Sequence, residues 1–387
     1  MMRILFVDDE RRVLEGIERL LFHKADEWDV VCVGSGAEAL EELEDEPFDV
    51  IVTDMRMPRM DGAALLAEVH ARFPKVVRFV LSGHAELEAS LRVVPIAHQF
   101  LTKPCKAEIL EGVVERALAL QQLMGDVAVC EAIGHIKELP SLPAVYAELT
   151  QALTDPDTGT GEVAAIVEKD MAMSAKVLQL VNSSFFSRGA EIAEVRAAVV
   201  RLGIDTVKNL VLTVEVFKPR PSGGSIAGTT MEALQAHALL TGALASKIVE
   251  DRAQAKDAMI AGILHDVGKL ILAQELPDRM DAALARAERD GVPIHEAEAL
   301  EIGVGHGEIG GYLLGIWGLP YPVVEAVSHH HAPLRAPERE GISILAAVHL
   351  ANAIASGTEP DEALVARLGV ADRIDGWRQL AEELSGR

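Results

Sequence analysis

The sequence predicts an α/β doubly wound parallel five-stranded sheet followed by an all-α domain, and three observations carry that prediction. Short apolar runs at 4–7, 30–33, 50–52, 76–81 and 100–101 alternate with helical patterns over the first hundred or so residues. Asp8, Asp9, Asp54, Ser82 and Lys103 each follow or close one of those runs. From about residue 131 the alternation stops, and apolar residues recur at three- and four-residue spacing instead. Repeated β-α units imply a sheet with its site at the strand C-termini, whereas the later spacing is that of helices packing on helices.

At 387 residues the chain is long enough for two or three domains, each burying its own core. Its three cysteines, Cys32, Cys105 and Cys130, form no CxxC pair and are too scattered for a disulfide framework, so a reducing compartment is expected. Met1-Met2-Arg3 leads straight into the first apolar run, and no apolar stretch reaches membrane-spanning length. A cytoplasmic location without membrane insertion is the expectation. The formal charge of -24, with no compensating Lys/Arg cluster, disfavours direct DNA binding.

Three carboxylates gathered at the ends of two strands repel one another unless a hard cation with oxygen ligands holds them, and Mg²⁺ suits such a site. Asp54 is then placed as nucleophile toward a phosphoryl group, with Lys103 as a compact positive charge opposite and Ser82 as a donor to a phosphoryl oxygen. Taken alone, Asp8-Asp9 reads equally as a cap on the next helix. Five matching positions in order favour the pocket.

The segments Phe6-Val7-Asp8-Asp9-Glu10, Val52-Thr53-Asp54-Met55-Arg56-Met57-Pro58-Arg59-Met60-Asp61-Gly62, Leu81-Ser82-Gly83 and Phe100-Leu101-Thr102-Lys103-Pro104 resemble the receiver domain of two-component response regulators, a flavodoxin-like fold. The resemblance implies that Asp54 is the phosphoacceptor and that Asp9, Asp54 and the Arg56 carbonyl bind Mg²⁺ directly while Asp8 acts through water. It also implies that Ser82 is the switch hydroxyl and Phe100 the switch aromatic, and that Lys103-Pro104 is a place where a cis bond is common.

Residues 106–124 carry Ile109, Val113, Val114, Ala117, Leu118 and Leu120 on one face and Glu108, Glu111 and Glu115 on another. The pattern is either the last receiver helix, ending near Leu120, or a rod running on as a linker. Beyond it, 162–168, 174–181, 195–202 and 206–216 read as helices, and 219–230, rich in Pro, Gly and Ser, as a loop. His237 shares a helical face with Leu234, Thr241, Leu244 and Ile248, a setting that more often holds a hydrogen-bonded core histidine than a ligand. His265-Asp266 ends the apolar helix 258–264, and His306 and the run His329-His330-His331 follow. Imidazole and carboxylate ligands of this kind suit Fe, Mn, Zn or Ni.

A second resemblance is to the HDOD domain, a relative of the HD metal-dependent phosphohydrolases. It rests on Leu139-Pro140-Ser141-Leu142-Pro143, on Asp170, Leu178 and Val181-Asn182-Ser183-Ser184, and on Ala197-Ala198-Val199-Val200-Arg201-Leu202-Gly203. His237, His265-Asp266-Val267-Gly268-Lys269, Trp317-Gly318-Leu319-Pro320 and His330-His331-Ala332-Pro333 extend it. It implies an HD-like helical domain with His237, His265 and Asp266 as ligands of a first metal and His306, His330 and His331 of a second. The sequence departs at Asn352, where the HD pattern has an aspartate, and at Ala233, where three-metal enzymes have a glutamate. A neutral amide is a poorer ligand than a carboxylate.

The expected organisation is a receiver at 1–120, a helical linker at 121–134, an HDOD domain at 135–340, and C-terminal helices at 341–387 packing on it through Trp377, Leu380 and Leu384. The expected function is that of a response regulator phosphorylated on Asp54 by a sensor histidine kinase, switching a non-catalytic HDOD output toward an unidentified protein partner, with homodimerisation compatible. The alternative is a receiver-gated metal-dependent phosphohydrolase or cyclic-dinucleotide phosphodiesterase.

Overall fold

The computed structural model describes residues 2–83, 93–124, 133–134, 136, 139–141, 143–155, 158–183, 191–212, 217–219, 225–226, 228–337, 339 and 341–386. Cys130, Leu142, Ser184, most of the 121–134 linker and parts of 206–216 and 219–230 lie outside them.

Five parallel strands, β1 (Met2–Val7), β2 (Trp28–Val33), β3 (Val50–Asp54), β4 (Val77–Ser82) and β5 (Gln99–Thr102), form one sheet in the order β2-β1-β3-β4-β5. Every residue of β3 and β4 is buried, which explains why apolar residues follow one another without alternation at 50–52 and 79–81; Arg78 is the charged exception within β4. Strand order reverses between β1 and β3, and that reversal opens a crevice at their C-terminal ends. Helices α1 (Arg11–Leu21), α2 (Gly36–Asp45), α3 (Gly62–Arg72) and α4 (Ala107–Met124) accompany the sheet. Ser35 and Asp61 cap α2 and α3 by accepting from the Glu38 and Ala64 amides. Helix α4 reaches Met124, four residues past Leu120.

The second half is mostly helical. It runs through α5 (Pro143–Thr154), α6 (Thr160–Val167), α7 (Met171–Asn182), α8 (Val195–Leu202), α9 (Ile204–Leu212), α10 (Met231–Ile248), α11 (Ala255–Leu264), α12 (Val267–Glu275), α13 (Pro277–Asp290), α14 (Ile294–Glu301), α15 (His306–Ile316), α16 (Tyr321–His329), α17 (Ile344–Ala355), α18 (Glu362–Leu368) and α19 (Ile374–Leu384). Short strands are the exceptions: Leu139–Ser141 pairs in parallel with Phe217–Pro219, and Ser225–Ile226 pairs antiparallel with Thr229–Thr230. Proline explains the first pair, because Pro140 and Pro219 hold their neighbours in extended backbone. The small hairpin occupies part of the stretch expected to be plain loop.

At the centre α10 and α11 meet backbone to backbone, since a methyl group on Gly262 would lie 2.6 Å from the Gly242 Cα. Helices α16 and α17 close the bundle around that pair. Trp377 is buried and Leu380 partly so, but Leu384, expected to pack with them, is 41% exposed. It falls at the last residue of α19, beyond the end of the surface that Trp377 reaches.

The two halves share a polar seam at the β4–β5 edge. Arg78 is fully buried there, donating from Nε to Ile96 O (2.7 Å), from Nη1 to Pro74 O (3.1 Å) and Val76 O (3.0 Å), and from Nη2 to Gly134 O (2.8 Å). Burial lowers its guanidinium to about 9, still charged at neutral pH. Gly134 is required at its position, because a Cβ there would lie 1.8 Å from Pro74 O. Beside it Gln179 Nε2 donates to Ala97 O (3.1 Å), and Lys176 Nζ donates to Gln179 Oε1 (3.1 Å) while standing 4.2 Å over the Trp317 ring.

Replacing Arg78 by Met withdraws the donors from four buried carbonyls. Urea unfolding of Arg78→Met is expected to show a loss of about 2–4 kcal/mol, and an unchanged midpoint would contradict the role given to this seam. His98, whose Nδ1 accepts from the Arg78 amide at 3.0 Å, is held well below the ordinary imidazole value by burial and then by the Arg78 and Lys176 charges. In the unfolded chain it takes up a proton first as the pH falls, so its contribution is complete above about 6.5 and is lost on acidification below that value. Stability curves at pH 7.5 and pH 5 should therefore diverge more for the native sequence than for His98→Gln; equal divergence would remove His98 from the account.

Candidate functional site

The crevice at the ends of β1 and β3 holds the acidic cluster. Asp8 directly follows β1 and Asp54 ends β3, both buried, while Asp9 is exposed at the mouth. One carboxylate oxygen from each of Asp8, Asp9 and Asp54 lies within 4.8 Å of the others. Lys103, just past β5, places Nζ 2.6 Å from Asp8 Oδ2 and 2.7 Å from Asp54 Oδ1. Asp8 Oδ1 accepts from the Glu10 amide (2.9 Å) and Asp54 Oδ2 from the Arg56 amide (3.2 Å), which turns both carboxylates inward.

Local sequence makes this possible. Gly62 lets the loop behind Asp54 fold back, for a side chain there would meet Asp54 O at 2.1 Å, and its amide donates to Met55 O at 3.1 Å. The Lys103-Pro104 peptide is cis, and the Lys103 amide donates to Ser82 O at 2.9 Å. Ser82 and Phe100 are buried on the adjacent strands, with Val80 opposite Phe100 and Ser82 opposite Thr102. Burial raises the Asp54 carboxyl despite the opposing effect of Lys103. Burial alone would lower Lys103, but its bonds to Asp54 and Asp8 more than offset that and raise it, so its ammonium stays charged. Mg²⁺ fits this donor set, which is oxygen throughout and carries an excess of negative charge.

A second cluster lies in the helical half, where a side chain from within α10 meets others from the ends of α11, α12, α15 and α16. His237 (α10), His265 and Asp266 (the α11–α12 junction) supply ligand atoms within 4.8 Å of one another, and His306, His330 and His331 form a second such group. Asp266 stands between them: Oδ1 is 3.1 Å from His306 Nε2, and Oδ2 is 3.4 Å from His265 Nε2 and 2.8 Å from Lys269 Nζ. His265 Nδ1 donates to Gly262 O (2.6 Å) and His330 Nδ1 to Val327 O (2.8 Å), so both Nε2 lone pairs face the cluster. Those two nitrogens are buried without a hydrogen-bond partner. Burial lowers His265 to about 4, and burial likewise depresses His237, His330 and His331, which keeps these imidazoles neutral. Burial would raise Asp266, yet His265, Lys269 and His306 hold it well below the carboxylate range. Neutral imidazoles with inward lone pairs around an ionised carboxylate are the donor set a divalent transition metal requires.

Two features escape a reading of the motifs. Glu298 is fully buried, accepting from His306 Nδ1 at 2.6 Å and from the His306 amide at 2.8 Å, and it points the other ring nitrogen into the cluster. A signal exists, since Ile294, Glu298 and Ile302 sit four residues apart, putting a carboxylate on an apolar helix stripe. His295 stacks on His331 with centroids 3.9 Å apart, beside a cavity of about 300 Å³. Asn352 takes the place of the expected carboxylate: its Oδ1 accepts from His237 Nε2 at 3.0 Å, engaging the nitrogen that would otherwise face a metal.

The HDOD domain model matches residues 139–333 and the response regulator receiver domain model residues 4–115. An uncharacterized protein from Treponema pallidum is 30% identical over 253 residues, covering 63% of this chain and 48% of that protein. The hydrogenase transcriptional regulatory protein HoxA of Bradyrhizobium diazoefficiens is 35% identical over 147 residues, covering 36% of this chain and 30% of HoxA. Among solved structures, the MmoQ response regulator from Methylococcus capsulatus shares 21% identity at a TM-score of 0.48, covering 62% of this chain and 98% of that one. The chain spans about half or less of the length of these curated relatives. No helix among the described residues is long and apolar enough to cross a membrane. Receiver domains bind Mg²⁺ as a class and take their phosphoryl group from a donor such as a histidine kinase. With one family model spanning half of its length and a second covering the five-stranded sheet, the chain belongs to the HDOD family and carries a response regulator receiver domain ahead of the HDOD domain.

Proposed function

We propose that this chain is the phosphorylated switch of a two-component pathway, with Asp54 as the phosphoacceptor and the HDOD domain as a non-catalytic output for a protein partner. The observation that carries the reading is the placement of Asp54 beside Asp8 and Lys103 at the crevice of the sheet. An Asp54 carboxylate oxygen attacks phosphorus, the donor's N–P bond breaks with its electron pair leaving on the histidine nitrogen, and an acyl phosphate forms. Asp9, Asp54 and the Arg56 carbonyl, with Asp8 acting through water, would hold Mg²⁺, which when bound would withdraw charge from the phosphoryl oxygens. Lys103 moves from the carboxylates toward the new charge. Ser82 turns to a phosphoryl oxygen and Phe100 follows into the space released. A bias of a few kcal/mol between two receiver conformations suffices for such a switch.

The second reading, retained metal binding in the HDOD half, is favoured by the unpartnered His265 and His330 nitrogens beside the Asp266 carboxylate. Turnover stands behind binding because Asn352 already engages His237.

Beryllofluoride with Mg²⁺ is expected to give a saturable change in tryptophan fluorescence or oligomeric state that weakens at least tenfold in Asp54→Ala. The same response in both proteins would dismiss Asp54 as the acceptor. Metal analysis of the purified chain should find Zn²⁺, Fe²⁺ or Mn²⁺ at a ratio that His265→Ala and Asp266→Ala each reduce by half or more. Metal-dependent hydrolysis of cyclic dinucleotides or nucleotides, lost in both variants, would instead make the domain an enzyme.

A further inference from the structure

Helix α15 runs from the imidazole cluster to the receiver, which it meets at the start of β5. Its first residue is His306, and its eleven residues span about 16 Å to Ile316, followed by Trp317 and Gly318. At the near end, close backbone approaches lock the helix to the other metal-site segments. A Cβ on Gly268, two residues past Asp266, would lie 1.9 Å from His306 O, and one on Gly311 would lie 1.8 Å from Ser328 Oγ, two residues before His330. A Cβ on Gly307 would lie 3.1 Å from both Val327 O and Ser328 O, a tighter fit than an ordinary contact. These contacts leave no room for α15 to slide without carrying the histidines with it.

At the far end the helix meets the receiver. Gln99, the first residue of β5 and the neighbour of Phe100, lays its side-chain amide against Gly318 so closely that a Cβ there would fall 2.1 Å from Nε2. Trp317 lies under Lys176, whose partner Gln179 bonds Ala97 O just ahead of β5. Helix α4 of the receiver runs alongside α15. A movement of β5 therefore reaches His306 through one rigid element instead of a diffuse surface.

Resting on the two readings above, we propose that α15 links the sites antagonistically, so that a phosphoryl group on Asp54 weakens metal binding at the His306 cluster, and metal weakens phosphoryl-analogue binding by the same factor. The direction follows from the arrangement described: the ligand atoms are gathered within 4.8 Å while Lys103 still bridges Asp8 and Asp54. Displacing β5 toward a phosphoryl group pulls α15 out of the register that gathers them. Reciprocity is a thermodynamic necessity if the coupling exists.

The test uses the full chain in saturating Mg²⁺ and measures Zn²⁺ affinity by competition with a chromophoric chelator, with and without beryllofluoride. The expected result is a weakening of about fivefold or more that is absent in Asp54→Ala. Gln99→Ala, which shortens the side chain at the Gly318 contact and touches neither site, should bring the two affinities to within about twofold while both ligands still bind. Equal or tighter Zn²⁺ binding in beryllofluoride overturns the coupling while leaving both sites standing. Zn²⁺ that fails to bind, or binds undiminished in His265→Ala, removes the metal reading and the coupling with it. Absence of any beryllofluoride response removes the receiver reading instead.

Discussion

Lys103 Nζ stands 2.6 Å from one buried carboxylate and 2.7 Å from another, and the receiver half is organised around that contact. Two carboxylates brought this close in a dry crevice repel each other, and burial by itself already raises Asp54. A single ammonium shared between them keeps the strand ends together without a ligand. The same ammonium is the group that an incoming phosphoryl oxygen competes for. Stability of the sheet's open end and readiness for phosphoryl chemistry are thus the same interaction in two roles, which is the condition for a switch rather than a static binding site.

The helical half solves a similar problem with the opposite sign. Several imidazoles crowd one ionised carboxylate, and burial keeps most of them neutral where a cluster of imidazolium ions would repel. His306 is the exception, since Glu298 and Asp266 together more than offset the effect of burial and raise it. Glu298, the second buried carboxylate, orients the ring and gives the cluster a fixed direction. Close glycine contacts then bind the cluster to α15, and the seam formed by Arg78, Gln99, Lys176 and Gln179 binds α15 and α7 to the receiver. Buried cations at such a seam impose geometry more than they add stability, because each must find its acceptors in one arrangement.

Much of this is legible in the linear sequence where chemistry and periodicity coincide. Strand-end residues Asp8, Asp54 and Ser82 announce the crevice because each closes an apolar run, and Lys103 adds to it from just beyond the short run at 100–101. His265-Asp266 is equally visible at the end of an apolar helix. Glu298 is harder, for its significance depends on a partner eight residues away whose orientation no local pattern specifies. The seam was not legible at all: Arg78 reads as an ordinary residue of a strand, and nothing around it marks carbonyls at Pro74, Ile96 and Gly134 as its acceptors. The short strand pairing Leu139–Ser141 with Phe217–Pro219 is non-local in the same way, joining segments that only the folded bundle brings together. Leu384 fails for a simpler reason, since spacing places it on the right face of α19 but the bundle ends before it.

The most direct measurement on the central claim is peptide mapping by mass spectrometry after treatment with a small acyl phosphate and Mg²⁺. The account predicts one hydroxylamine-labile phosphoryl group per chain, located at Asp54 and missing from Asp54→Ala. A stable phosphoryl group on another residue, or none under conditions where the fold is intact, would contradict it.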